Sequence, residues 1–125
     1  MSLVLDAGAL IAIERGDREL IARLSAERIA GRIPVTHGGV VGQVWRGGSH
    51  QARLARALRA IEVAPLDDEL GHRAGVLLGA AEQSDVVDAA LVSLARDGDD
   101  ILTSDPDDLL ALAVVAGTHV ELDVV

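Results

Sequence analysis

Residues 3–14, Leu-Val-Leu-Asp-Ala-Gly-Ala-Leu-Ile-Ala-Ile-Glu, carry the pattern that decides the fold. The apolar run Leu3–Leu5 ends at Asp6 and is followed by a stretch with helical spacing, which predicts a strand, a turn and a helix. The same succession recurs along the chain. Strands that alternate with helices predict a parallel sheet covered by helices on both faces. Asp6 would then lie at the carboxyl edge of that sheet, where ligands bind in such folds.

Periodicity and turn residues predict the other elements in the same way. The predicted strands are Leu3–Leu5, Ile33–Thr36, Ile61–Ala64, Ile101–Thr103 and Val120–Leu122. The predicted helices are one beginning near Ala9, then Asp17–Ala30, Val40–Trp45, His50–Ala60, Asp67–Glu82, Ser84–Ala95 and Pro106–Val115. No repeat, linker or low-complexity segment interrupts this order, so residues 1–125 are predicted to form a single domain.

Composition narrows the class of protein. Half of the 125 residues are hydrophobic but only Trp45 is aromatic, which predicts an aliphatic core. The chain has no cysteine, which excludes disulfides and thiolate chemistry and fits a reducing compartment. No basic region precedes an apolar stretch at the N-terminus, and no apolar run reaches the roughly 18 residues that a membrane span needs. A cytoplasmic protein without membrane association is therefore expected.

The net charge of −9 opposes binding to polyanions. That objection weakens if an acidic cluster binds metal ions, because the cations would cancel several of the negative charges. All 11 basic residues are Arg. A basic protein partner is a second explanation for the surplus of acid.

Four aspartates stand just after an apolar run or at the start of a predicted helix: Asp6, Asp85, Asp88 and Asp105. Carboxylates at the ends of parallel strands converge on one edge, and hard cations such as Mg²⁺ or Mn²⁺ prefer oxygen ligands. Metal-bound water that attacks phosphorus would make this a site of phosphodiester hydrolysis.

Each of these aspartates also has a purely structural explanation. An Asp at a helix start caps free backbone N–H groups, as expected for Asp67 and, equally well, for Asp105 before Pro106. Asp85 and Asp88 are three residues apart with apolar neighbours, so they would share a helix face with little water. An Arg such as Arg46 would neutralise them if no metal did.

Four segments together resemble the PIN domains of VapC-type ribonuclease toxins from bacterial toxin–antitoxin modules. They are LVLDAGALIA at the start, VGQVWRGG in the middle, SDVVDAALV, and ILTSDPDDL near the end. The resemblance implies a PIN-like three-layer α/β/α fold with a central parallel sheet of four to five strands. It also implies a Mg²⁺- or Mn²⁺-dependent endoribonuclease with an RNA substrate, a cognate antitoxin and a homodimer.

The same resemblance assigns roles to individual residues. Asp6 would be the first metal ligand, Asp85 the central one and Asp105 the acidic residue after the turn, with Thr103 orienting ligands or water and Asp88 as an additional ligand. Gln43 departs from the family, which commonly carries a metal-site Glu there. An amide is a weak ligand without charge, so we expect looser metal binding unless Asp88 supplies the missing charge.

The basic and aromatic residues outside this cluster have open interpretations. Arg53, Arg56 and Arg59 recur every three residues on one helix face, with Arg46 just before them. They form either a solvated face or, at Arg46, Arg53 and Arg56, contacts to RNA phosphates. Trp45 is interpreted as a core residue, with a subunit contact as the alternative. The four histidines show no zinc spacing and are assigned no catalytic role.

Two other functions fit the sequence less well, and a third remains open as an alternative. A phosphoacceptor receiver domain shares the length and acidity but needs a Lys, which this chain lacks. A haloacid-dehalogenase-type phosphatase meets the same objection and has Gly8 where its second Asp would stand. A PIN-like protein-binding module, catalytically weakened because Gln43 replaces the usual Glu, remains open.

Overall fold

The computed structural model describes all 125 residues and contains five short strands and seven α-helices. The strands are β1 (Leu3–Leu5), β2 (Val35–His37), β3 (Glu62–Ala64), β4 (Asp100–Thr103) and β5 (Glu121–Val124). The helices are α1 (Ala7–Arg15), α2 (Arg18–Ile29), α3 (Gly38–Val44), α4 (Ala52–Leu58), α5 (Asp68–Ala81), α6 (Val86–Leu94) and α7 (Pro106–Ala116), with a 3₁₀ turn at Ser49–Gln51.

The strands form one sheet in the order β3-β2-β1-β4-β5, and every neighbouring pair is parallel. Helices α1 to α4 pack together, as do α5 to α7, giving three layers with the sheet between them. This confirms the predicted class, a three-layer α/β/α fold with a parallel sheet of four to five strands. Since all carboxyl ends lie at one edge, β1, β2 and β4 end beside one another there.

The core is aliphatic, as predicted. Twenty-four buried hydrophobic residues form one cluster, and the central strand β1 is buried along its whole length. Beside it, the buried hydroxyl of Thr36 donates to the Leu5 carbonyl oxygen over 2.7 Å. This bond ties β2 to the end of β1 just before the candidate site.

Most predicted boundaries are displaced by one or two residues, among them those of α1, α4, β3 and β5, and two displacements near the site have a physical reason. The second strand was predicted at Ile33–Thr36 but runs from Val35 to His37. Pro34 has no N–H for the ladder, while His37 pairs in register with Ala64. Helix α3 begins at Gly38, two residues earlier than predicted, because the His37 ring accepts a hydrogen bond from Gly39 N–H and caps the helix.

Candidate metal and nuclease site

The carboxyl edge of the sheet brings Asp6 and Thr103 together. Asp6 follows β1, is only 7% exposed, and donates its N–H to the Leu102 carbonyl of β4. The Thr103 hydroxyl donates to Asp6 Oδ2 over 2.8 Å and accepts from the Asp105 N–H over 2.9 Å. One hydroxyl therefore fixes the orientation of the Asp6 carboxylate and the start of the loop that carries Asp105.

Capping geometry separates the aspartates into two groups. Asp17, Asp67 and Asp85 each accept a hydrogen bond from a backbone N–H in the first turn of the following helix. The prediction that Asp67 is a cap is thus confirmed. Asp6 and Asp105 stand at the same position before α1 and α7, but their side chains make no capping bond. The interpretation of Asp105 as only a cap is therefore wrong, and neither the Asp6 nor the Asp105 carboxylate is engaged in helix capping.

Asp85 and Asp88 differ from what their spacing predicted. Asp85 precedes α6, is exposed, and accepts from Asp88 N–H over 3.1 Å, so it does not share a buried helix face with Asp88. Asp88 is half-buried inside the first turn. The apolar neighbours therefore exclude water only from Asp88, because Asp85, at the N-cap position, faces the solvent.

The surroundings of Asp88 raise the pKa of its carboxyl group. Burial, followed in order of size by the negative charges of Asp85, Asp6, Asp108 and Asp105, raises the pKa of Asp88 to about 7. We call these five residues the acidic cluster. Asp108, in the first turn of α7, lies close enough for its charge to act on Asp88.

No cation neutralises this cluster within the protein. The ion pairs of the molecule are Arg23–Asp100, Arg23–Asp123, Arg32–Glu27 and His72–Asp68, none of which involves it. Arg46 instead donates to the carbonyl oxygens of Gly42, Gln43 and Trp45 at the end of α3. The alternative that Arg46 neutralises Asp85 and Asp88 is therefore wrong.

The donor set fits a hard divalent cation chemically, since it consists of unpaired carboxylates that repel one another. The side chains do not yet converge: no three His, Asp or Glu groups are arranged around one point as ligands of one ion. The charges are near enough to perturb Asp88 but not near enough to coordinate together.

The remaining predicted residues lie on α3 and α4. Gln43 is exposed and its side chain makes no hydrogen bond. Arg53 donates to the Glu14 carbonyl at the end of α1 over 3.0 Å, so this guanidinium has a structural partner. Arg56, with Arg28, Arg32 and Arg53, lines a groove of about 570 Å³ between α2 and α4.

Trp45 was interpreted as a core residue, and that interpretation is wrong. It is 40% exposed at the residue following α3. The backbone leaves the helix there, because Trp45 is extended (φ −67°, ψ 131°). A contact with another protein chain remains open for it.

Sequence reasoning missed four buried polar residues, Thr36, His37, Gln51 and Asp99, of which Gln51 and His37 lie next to α3. Gln51, 2% exposed, accepts from the N–H groups of Arg46 and Gly47 and donates to Glu14 Oε1 and the Val44 carbonyl. It uses both ends of its amide to hold the loop after α3. His37 is fully buried at the end of β2. No spacing pattern marks either residue, since each bond joins different elements.

The structure has a PIN-like α/β/α fold, with acidic residues at the carboxyl edge of its sheet. Over 98% of both chains, the structure is similar to a chain in the crystal structure of VapBC2 from Rickettsia felis bound to a DNA fragment from their promoter, with a TM-score of 0.68 and 12% sequence identity. The similarity confirms, for the fold, the resemblance inferred from the four motifs. No protein-family model matches the sequence, and no curated protein matches it. None of the helices is both long enough and apolar enough to cross a membrane.

Proposed function

We propose that this protein is a Mg²⁺- or Mn²⁺-dependent endoribonuclease, the toxin of a type II toxin–antitoxin pair. The observation that carries the proposal is the acidic cluster: five carboxylates at the carboxyl edge of the sheet, none of them paired with an Arg, whose charges add to the effect of burial in raising the pKa of Asp88. Such a cluster is unfavourable by itself and is relieved by divalent cations. The PIN-like fold and its VapBC2 neighbour support the same conclusion.

Within this proposal, Asp6, Asp88 and Asp105 hold the metal. Asp88 takes the central role that the motif resemblance assigns to Asp85, because Asp88 is half-buried beside Asp6 while one oxygen of Asp85 is engaged as a helix cap. Asp85 and Asp108 then add charge from the rim. Thr103 keeps Asp6 in one rotamer through its 2.8 Å hydrogen bond.

The chemistry follows from these positions. A bound Mg²⁺ or Mn²⁺ would lower the pKa of water and stabilise charge on the phosphate. Asp6 and Asp105 would hold the ion from two neighbouring strand ends. An ionised carboxylate at the rim, Asp85 or Asp108, would accept the proton of the attacking water. Arg56 is exposed and contacts the RNA phosphates. Arg46 and Arg53 contact them with the N–H groups that are not already bonded to backbone carbonyls.

The proposed partners follow from charge and exposure. An antitoxin that places a basic side chain in the acidic cluster would silence the enzyme, as the motif resemblance implies. The exposed Trp45 is a candidate contact in a homodimer or in that complex. We propose a cytoplasmic location, where RNA is available.

The decisive experiment is RNA cleavage by the purified protein with Mn²⁺, compared for the parent, Asp6→Asn and Asp67→Asn. Loss of a metal ligand should reduce cleavage by at least about 100-fold, since even second-shell partners cost 10–100-fold. Asp67→Asn is the matched control, because this Asp also follows a strand and begins a helix but acts as a cap, and Asn caps equally well. Equal cleavage by Asp6→Asn and the parent would refute the assignment.

A second function is favoured by two observations. The carboxylates do not converge on one point, and Gln43 stands where the family carries Glu. Both fit a PIN-like module that has lost catalysis and only binds a partner. Absence of cleavage with Mg²⁺ and Mn²⁺ on several RNAs, with tight antitoxin binding retained, would select this module.

A further inference from the structure

His37 lies where β2, α3 and the first turn of α6 meet. It is the last residue of β2, precedes α3, and is completely buried. The negative charge of Asp6 acts on its ring. Neither the proposed chemistry nor the motifs give this histidine a role.

Both ring nitrogens have partners, which fixes the tautomer. The Gly39 N–H lies 3.0 Å from Nδ1 and can only donate, so Nδ1 carries no proton. Nε2 therefore carries the proton and donates to the Val87 carbonyl oxygen over 2.9 Å. Burial lowers the pKa of His37, which keeps the ring in this neutral form.

The acceptor of the second bond belongs to the first turn of α6. Val87 lies between Asp85 and Asp88 in the chain, so a bond to its carbonyl restrains the backbone that carries both acids. Fifty residues separate the two partners. No other side-chain hydrogen bond joins β2 to α6.

Gly39 provides independent support for this interpretation. A Cβ added at Gly39 would lie 2.8 Å from Cε1 and 3.0 Å from Nδ1 of His37. Only glycine leaves room for the imidazole in its bridging position. The absence of a side chain at Gly39 thus leaves the space that the His37 ring occupies.

We propose that His37 is a positioning residue for the metal site: its imidazole bridges the end of β2 to the first turn of α6 and holds Asp88 beside Asp6. This inference rests on the proposed function, since it assigns the bridge a role in metal binding. His37 does not touch metal or substrate.

Two substitutions test the two hydrogen bonds of His37 one at a time, because each removes one bond and keeps the other. His37→Asn keeps an acceptor near the Nδ1 position, and Asn is a good N-cap, but the shorter side chain cannot reach Val87. His37→Gln places an amide N–H near the Nε2 position and can keep the bond to Val87. Both variants lose one buried hydrogen bond, so a purely structural role predicts similar effects on all properties.

The test measures the Mn²⁺ dissociation constant of the full chain by calorimetry, together with hydrogen exchange of residues 86–90 without metal. We expect His37→Asn to weaken Mn²⁺ binding by about 10-fold and to speed exchange, and His37→Gln to stay near the parent in both. Gly39→Ala, which displaces the ring without changing it, should follow His37→Asn. His119→Asn is the control, because that exposed histidine lies just before β5 at the opposite edge of the sheet.

The outcomes distinguish the two proposals. A parent that binds no Mn²⁺ overturns the proposed function, and with it the role of the bridge in metal binding. Parent Mn²⁺ binding with an unchanged His37→Asn variant overturns the inference alone. Equal losses in His37→Asn and His37→Gln, in proportion to their melting temperatures, also overturn it, because they show a structural role only.

Discussion

At the scale of single residues, the protein distinguishes aspartates by what their oxygens already bind. Asp67 and Asp85 cap helices, whereas Asp6 and Asp105 occupy equivalent positions without capping. Asp88 differs from all four because it is half-buried among other acids and keeps its proton up to about pH 7. Residue type and spacing identified the set, but only burial and hydrogen bonding assign its members.

Asp88 should make the metal-free protein less stable as pH rises. The unfolded chain releases this proton near the ordinary value of 3.8, while the folded state holds it to about 7, so between these values the folded state binds more protons and the free energy of unfolding falls with increasing pH. Asp88→Asn should therefore melt a few degrees above the parent at pH 8, and the difference should shrink at pH 4. Melting curves with chelator present would test this, with Asp67→Asn as control. A pH-independent difference would contradict the assigned acidity.

Gln43 offers a prediction about charge. Gln43→Glu adds a carboxylate at the position where VapC-type toxins commonly carry one, and should tighten Mn²⁺ binding by about 10-fold. Calorimetry of the two proteins at the same pH measures the change. If the affinity does not increase, Gln43 does not lie in the position that the motif resemblance assigns to it.

At the scale of elements, the site depends on how closely helices approach the ends of strands. A Cβ at Gly8, in the first turn of α1, would lie 2.6 Å from Ser104 Oγ and 2.8 Å from Ser104 N, in the loop between β4 and α7. Since part of this contact is backbone, a side-chain rotation cannot relieve it. Gly8 therefore sets the separation between the two loops that carry Asp6 and Asp105.

Gly8→Ala should destabilise the fold by about 1–3 kcal/mol through overpacking and should also weaken Mn²⁺ binding. Gly71→Ala is the matched control, because nothing lies within 4 Å of a Cβ there and α5 should gain up to about 1 kcal/mol from the better helix former. Chemical denaturation measures both values. A stable Gly8→Ala variant would show that the loops can separate without cost.

At the scale of the whole molecule, charge is divided between the halves of the chain. Residues 1–60 contain nine Arg against five Asp and Glu, a net +4, and residues 61–125 contain two Arg against fifteen acids, a net −13. Helices α1 to α4 belong to the first part and α5 to α7 to the second. The overall −9 therefore combines a basic half of the chain, which contains α1 to α4, with an acidic half, which contains α5 to α7, and this weakens the objection that the net charge opposes RNA binding.

The guanidinium groups of Arg56 and Arg59, on or just after α4, make no hydrogen bond to the protein, so reversing both charges should not disturb the fold. The double variant Arg56→Glu, Arg59→Glu should bind RNA more weakly, and the slope of log affinity against log salt should fall by about 2. Fluorescence anisotropy at several salt concentrations measures the slope, with exposed Arg96→Glu as control. An unchanged slope would show that this stripe is only a solvated face.

The sequence by itself determined the order of strands and helices, the aliphatic core and the aspartates at the carboxyl edge. Those features depend on patterns of hydrophobic and capping residues that lie within short stretches of the sequence. Only the tertiary structure decided that Thr103 orients Asp6 across 97 residues, that Asp88 rather than Asp85 is half-buried, and that Trp45 is exposed. These depend on which elements pack together and at what distance, and no spacing within a single element encodes a contact between two of them.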